Sequence, residues 1–192
     1  MFNKLQFSLH QPNRMGIIAL LCGFALIASA CGGVVVNSPD STPTTAKEVV
    51  SSQDVCSLIT AAEAEAVMGQ PVASILPFSE LDSDYGEMVF SCYYNGKDLT
   101  IVVSTVDLGS AQAASEILQQ QLVKEQADEG AIINEEPGLG EKAYWTTADN
   151  AGMYTILKGS NIFVVLLGGN IGDAASYKAP LLTLAKSVSS KY

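Results

Sequence analysis

The stretch YGEMVFSCYYNGKDLTIVVSTV, residues 85–106, decides the fold. Two runs rich in aromatic and β-branched residues, Tyr85–Tyr94 and Asp98–Val106, flank the dipeptide Asn95-Gly96. Asn-Gly suits the tightest hairpins because both central turn residues need positive φ, so the stretch predicts an antiparallel β-hairpin. Side chains alternate across a strand. Met88, Phe90, Cys92 and Tyr94 therefore share one face of the first strand, and Leu99, Ile101, Val103 and Thr105 one face of the second. Cys92 then faces the core, where Cys56 could reach it from the approach to the preceding helix.

That helix is announced by Thr60-Ala61-Ala62-Glu63, a capping-box pattern, and by an Ala-rich run to Met68 stopped by Gly69 and Pro71. Downstream, Ser110 to about Asp128 reads as an amphipathic helix with Ile117, Leu118 and Leu122 on its apolar side. Glu135-Glu136-Pro137-Gly138-Leu139-Gly140 reads as a turn. Lys142–Thr147, Met153–Lys158 and Asn161–Leu167 then read as strands, with Gly159-Ser160 turning the last pair. Phe163–Leu167 is apolar at every position, which predicts a central strand covered on both faces. A final helical segment follows Asp173, with Pro180 at a permitted first-turn position.

The expected fold class is α+β, a largely antiparallel sheet of about five to seven strands with packed helices. Hairpin turns at residues 95 and 159, each followed by a helix start near 110 and 173, raise a possible two-half pseudo-repeat.

The N-terminus carries an address. Lys4 and Arg14 precede the uncharged run Met15–Ala30, the layout of a signal peptide. The run closes on Ala28-Ser29-Ala30-Cys31, which looks like a bacterial lipobox whose Cys31 thiol would accept a lipid. The uncharged stretch continues to Val36, however, and about 20 apolar residues can span a bilayer, so an uncleaved membrane anchor is the alternative. Basic residues lie on the N-terminal side in both cases, so the rest is exported either way. The organisation read here is residues 1–30 as lipoprotein signal peptide, residues 31–53 as lipid anchor and Ser/Thr/Pro-rich linker, and residues 54–192 as one extracytoplasmic domain.

Removing residues 1–30 changes the chemistry on offer, because His10 and Arg14, the only histidine and arginine, leave with them. Eight lysines then face all twenty acids, a formal charge of −12. Hydrolytic arrangements built on His are excluded, and so is a His-ligated zinc site. Nucleic-acid binding needs a basic footprint, which an acidic domain without arginine lacks. Cys22 leaves with the signal and Cys31 is acylated, so Cys56 and Cys92 remain as an even pair in a compartment that permits disulfides.

Several patterns mimic functional motifs. Glu80, Asp82, Asp84 and Glu87 form the densest acidic cluster, but Ser91 stands where a calcium loop needs its last carboxylate, so a solvated loop is expected. Thr183-Leu184-Ala185-Lys186 has Ser/Thr-x-x-Lys spacing without its companion motifs. Gly168-Gly169-Asn170-Ile171-Gly172 matches no phosphate-loop spacing and reads as a strand-to-helix turn. Glu135-Glu136 is a chance carboxylate pair in so acidic a chain. Tyr93, Tyr94, Tyr144 and Trp145 are the candidate ligand surface, although alternation puts Tyr144 and Trp145 on opposite faces, so that at least one of those two should be core.

Taken with the lipobox and spacer, Cys56-Ser57-Leu58-Ile59-Thr60 before an Ala/Glu helix, Cys92-Tyr93-Tyr94 on a strand and Gly138-Leu139-Gly140-Glu141-Lys142-Ala143-Tyr144-Trp145 resemble the small bacterial lipoproteins grouped as domain of unknown function 3558. The resemblance covers roughly residues 25–190. It implies a bridge between Cys56 and Cys92, a PsbP-like sheet-and-helix fold and no catalytic residue. The resulting expectation is a non-enzymatic envelope lipoprotein, held to the membrane through Cys31, without cofactor or metal, that binds a partner protein or small ligand. A carboxylate-dependent hydrolase and a scaffold without small ligand are the alternatives.

Overall fold

The computed structural model describes residues 52–192 apart from 83–85, 128–130 and 149. The signal stretch 1–30, Cys31, all of the linker up to residue 51, and Asp84 lie outside the described residues. Among those described, no helix is long and apolar enough to cross a membrane.

A one-turn helix, α1 (Ser52–Val55), opens the structure and takes in the last two residues read as linker. α2 (Ala61–Met68) follows, and its start is the capping box foreseen. The Glu63 N–H donates to Thr60 Oγ1 at 3.2 Å, and the Thr60 N–H donates to Glu63 Oε2 at 2.7 Å. Gly69, at φ 67°, ends the helix in the left-handed conformation that glycine adopts without a Cβ penalty.

The strands are β1 (Ser74–Leu81), β2 (Met88–Asn95) and β3 (Leu99–Asp107), then, beyond α3 (Ala111–Gln126), β4 (Ile132–Glu135), β5 (Lys142–Ala148), β6 (Ala151–Lys158) and β7 (Asn161–Gly169). One turn of 3₁₀ helix, Ala174–Tyr177, leads into α4 (Lys178–Ser190), whose first turn holds Pro180. All seven strands form one antiparallel sheet in the order β1-β2-β3-β7-β6-β5-β4. The fold is α+β, as the sequence predicts, at the upper end of the expected strand number.

The β2–β3 hairpin forms with the expected faces, but its turn differs from the reading of Asn95-Gly96. Asn95 pairs with Thr100 inside the ladder, and the Gly96 N–H donates to the Leu99 carbonyl at 2.8 Å, so the chain reverses at Lys97-Asp98. Gly96 is not at positive φ. A glycine suits it because a Cβ there would lie 2.7 Å from the Gln70 side chain.

Two cores lie on opposite sides of the sheet. The larger packs Cys92, Tyr94, Ile101, Val103, Trp145, Tyr154, Phe163 and Val165 beneath α2 and α4. The smaller packs Val106, Leu157 and Ile162 beneath Ala114 and Leu118 of α3. The expectation for β7 therefore needs refinement: Phe163, Val165 and Leu167 are fully buried, whereas Val164 and Leu166 on the reverse face are only partly covered. The same placement limits the pseudo-repeat. The order of hairpin then helix recurs, but the helices α3 and α4 sit on opposite faces, so the two halves are not related by one rotation.

Candidate binding surface

The four aromatic residues singled out in the sequence are not brought together. Tyr94 and Trp145 are core residues, 0% and 2% exposed. The Trp145 ring packs on Tyr154 with centroids 4.9 Å apart, over Gly152, where a Cβ would run into the indole. Burial, with a smaller effect of Glu136, raises the pKa of Tyr154. Tyr144 is half-buried against the α3 cluster. Tyr93 alone of the four lies on a part of the sheet that no described helix covers.

Its neighbours follow from the register. Leu76 pairs with Tyr93, Tyr93 with Val102 and Val102 with Leu166, while Phe78 pairs with Ser91 and Ser91 with Ser104. Directly paired residues share a face, so Leu76, Phe78, Tyr93 and Leu166 flank a floor made by Val102 and the Ser91–Ser104 hydroxyl pair, whose oxygens are 2.8 Å apart. α3 crosses the same face over β6 and β7; the floor residues Ser91, Ser104 and Val102 are buried, and among the described residues the corner is open only at its rim along β1. Leu76 is 54% and Phe78 44% exposed. Phe78 meets Tyr93 edge-on, with centroids 6.1 Å apart at 85°. Burial first, and the Glu80 carboxylate second, raise the Tyr93 pKa, which places the negative charge of Glu80 beside the same aromatic pair.

β1 supplies the edge of this surface, and the sequence reading missed it. Its segment Ser-Ile-Leu-Pro-Phe-Ser-Glu-Leu contains Pro77, which argues against a central strand but is compatible with an edge. The Asp82 N–H donates to the Glu87 carbonyl at 2.9 Å, and alternation in an antiparallel ladder then makes Glu80/Val89, Phe78/Ser91 and Leu76/Tyr93 the hydrogen-bonded pairs. The backbone groups of Ile75, Pro77, Ser79 and Leu81 therefore point away from the sheet. Every residue of β1 is exposed, including Ile75 and Leu81 on the other face.

The acidic cluster is spread over β1 and its following loop rather than gathered in one loop: Glu80 lies in the strand, Asp82 just beyond it and Glu87 just before β2. No three described His, Cys, Asp or Glu side chains converge to hold a metal ion. Glu136 pairs with Lys178 at 3.0 Å, and Glu135 ends the edge strand β4, a strand too short for its four residues to be distinguished from a turn in the sequence. Thr183 donates to the Ala179 carbonyl as an ordinary helical hydroxyl, and Lys186 is exposed. Gly168 and Gly169 close β7.

Glu125 is the buried acid that sequence reading overlooked. Its carboxylate, 5% exposed, accepts from Thr146 Oγ1 at 3.2 Å and from Gln121 Nε2 at 3.1 Å. The helical period carried the signal, since residue 125 continues the stripe of Ala114, Leu118 and Leu122.

Cys56, just after α1, is joined by a disulfide to Cys92 on β2. Such a bond fits a protein that folds in an oxidising compartment.

Comparison with protein-family models and with curated proteins gives no match. Among solved structures, the extracellular domain of PknH from Mycobacterium tuberculosis is similar, with a TM-score of 0.50 at 11% identity over 74% of this chain and 98% of that one. At that identity the likeness is one of fold: this chain folds as does a domain that stands outside a bacterial cell.

Proposed function

We propose that this protein is an exported envelope lipoprotein, anchored through Cys31, whose domain binds a partner through the open sheet corner formed by Leu76, Phe78, Tyr93 and Leu166. The exposed apolar edge of that corner carries the reading, because soluble domains rarely leave contiguous apolar patches on a sheet uncovered without a use for them. The Cys56–Cys92 bond supports an extracytoplasmic address, and the lipobox with its resemblance to the lipoproteins of domain of unknown function 3558 supports the anchor. The role is binding rather than turnover. After the signal is removed the chain holds neither His nor Arg, and the carboxylates near the surface are dispersed along an edge, where acid–base work would need them convergent.

The test is photocrosslinking in intact cells with a photoreactive phenylalanine at position 78 and, as a control, at Lys186 on the exposed side of α4. A discrete protein adduct from position 78 alone is expected. Equal labelling from both positions, or none from position 78, overturns the assignment of the surface.

A further inference from the structure

The open corner also indicates the chemistry of its occupant, an inference that rests on reading that surface as a binding site. Edge strands are ordinarily blunted by charge or by proline, because their unpaired backbone groups can template another strand. β1 is blunted only in part. Pro77 removes one outward donor, but Ser79 and Leu81 retain both outward groups, and four apolar side chains of β1 stay exposed on its two faces: Ile75, Leu76, Phe78 and Leu81. A strand exposed on both faces at the end of a sheet is the geometry into which an extended polypeptide adds. Backbone pairing selects a polypeptide over a lipid or a sugar, since only a polypeptide presents matching N–H and C=O groups at strand spacing.

Charge then selects its side chains. Glu80 shares the face of Phe78 and Leu76, and among the described residues no cation pairs with Glu80 or Glu87. Side chains two residues apart on an added strand would stand against Glu80, Phe78 and Leu76 in turn. A second copy of this chain would bring a formal charge of −12 against the same sign, which disfavours it.

We propose that β1 receives an extended segment of a second protein, paired to the outward backbone of Ser79 and Leu81, in which a lysine or arginine set against Glu80 alternates with apolar residues set against Phe78 and Leu76.

The experiment pans the full chain against a display library of random decapeptides. The enriched peptides are expected to carry Lys or Arg two positions from an apolar residue and four from a second. Glu80→Lys should weaken their binding about tenfold, a Lys→Glu change in the peptide should restore it, and Ser79→Pro should weaken it by a similar factor, with melting temperatures unchanged. Both positions are exposed, so the variants fold. Enrichment without basic residues, no enrichment, binding by either variant as tight as by the unaltered chain, or self-association lost in Glu80→Lys each overturns the proposal. A crosslinked protein at position 78 together with any of these results leaves the binding surface standing and removes only the basic, strand-adding partner.

Discussion

The hydroxyl of Tyr94 lies 2.7 Å from the carbonyl oxygen of Cys56, the same residue whose sulfur is bonded to Cys92 two positions earlier on β2. That hydroxyl also lies 2.8 Å from the Ile59 carbonyl, and Lys191 Nζ donates to the carbonyls of Ser57 and Leu58 at 3.2 and 2.7 Å. Four successive carbonyls between α1 and α2 thus meet side-chain donors from β2 and from Lys191 just beyond α4, the single Tyr94 proton being shared between Cys56 and Ile59. Helix ends leave such acceptors unpaired, and a cation near a helix C-terminus is favourable. Distant parts of the chain thereby hold the entry segment against the sheet.

Removing the covalent link should expose how much of this work it does. Cys92→Ala is expected to lower stability by roughly 2–4 kcal/mol, the range for a loop of this order. Tyr94→Phe should cost about 1–2 kcal/mol by removing the one donor that the Cys56 and Ile59 carbonyls share. Because both act on residue 56, the double variant should lose less than the sum of the two. Urea unfolding of the four forms of the cycle measures this, and strict additivity would count against a shared role.

The buried tyrosines set an alkaline limit. Burial, with a smaller effect of Glu63, pushes the Tyr94 pKa from 10.0 up to about 12, and burial raises those of Tyr154 and Tyr93 as well. Raised folded values mean that the folded state resists ionisation. The contribution is intact below pH 10 and is lost as pH rises through about 12. Thermal midpoints should therefore fall over that window while tyrosinate absorbance rises with unfolding, and Tyr94→Phe should flatten the decline.

The α2 capping box gives an acid-side counterpart. Hydrogen bonds from the Thr60 backbone and then its hydroxyl hold the Glu63 carboxyl below the usual carboxylate range. A lowered folded value contributes stability above that range and loses it as pH falls. Thr60→Ala, which removes the hydroxyl but keeps the N–H, should cost about 1 kcal/mol near neutrality. The deficit should shrink in acid, as read from urea midpoints at several pH values.

Period and punctuation made the interior legible. The alternation of Phe90, Cys92 and Tyr94 placed the main core face, Thr60 and Glu63 placed α2, and Gly159-Ser160 placed the β6–β7 turn. The edges were hidden for the same physical reason that they are edges. β1 carries Pro77 and shows apolar side chains on both sides, so its hydrophobic pattern has no buried face to report. β4 is four residues long. Asn95-Gly96 misled because the close approach of Gln70, not a positive φ, calls for the glycine. Of the four aromatic candidates, alternation could say that each pair splits, but not that α3 would shelter Tyr144 and leave Tyr93 beside an open corner.

Two aromatic substitutions should separate core from surface. Trp145 is the only tryptophan in the chain and is 2% exposed, so its fluorescence reports the state of the core. Trp145→Ala empties the space between Tyr154 and Gly152 and should cost about 3–5 kcal/mol, scored by circular dichroism because the fluorophore is lost. Phe78 already gives 44% of its surface to water and meets the Tyr93 ring edge-on. Phe78→Ser should therefore shift the unfolding midpoint by no more than about 1 kcal/mol, with unchanged Trp145 emission, while removing an apolar wall of the open corner. Loss of partner capture in this stable variant would assign the ring to recognition. A large loss of stability would instead make Phe78 part of the fold, and the open corner would lose its main claim to be a binding surface.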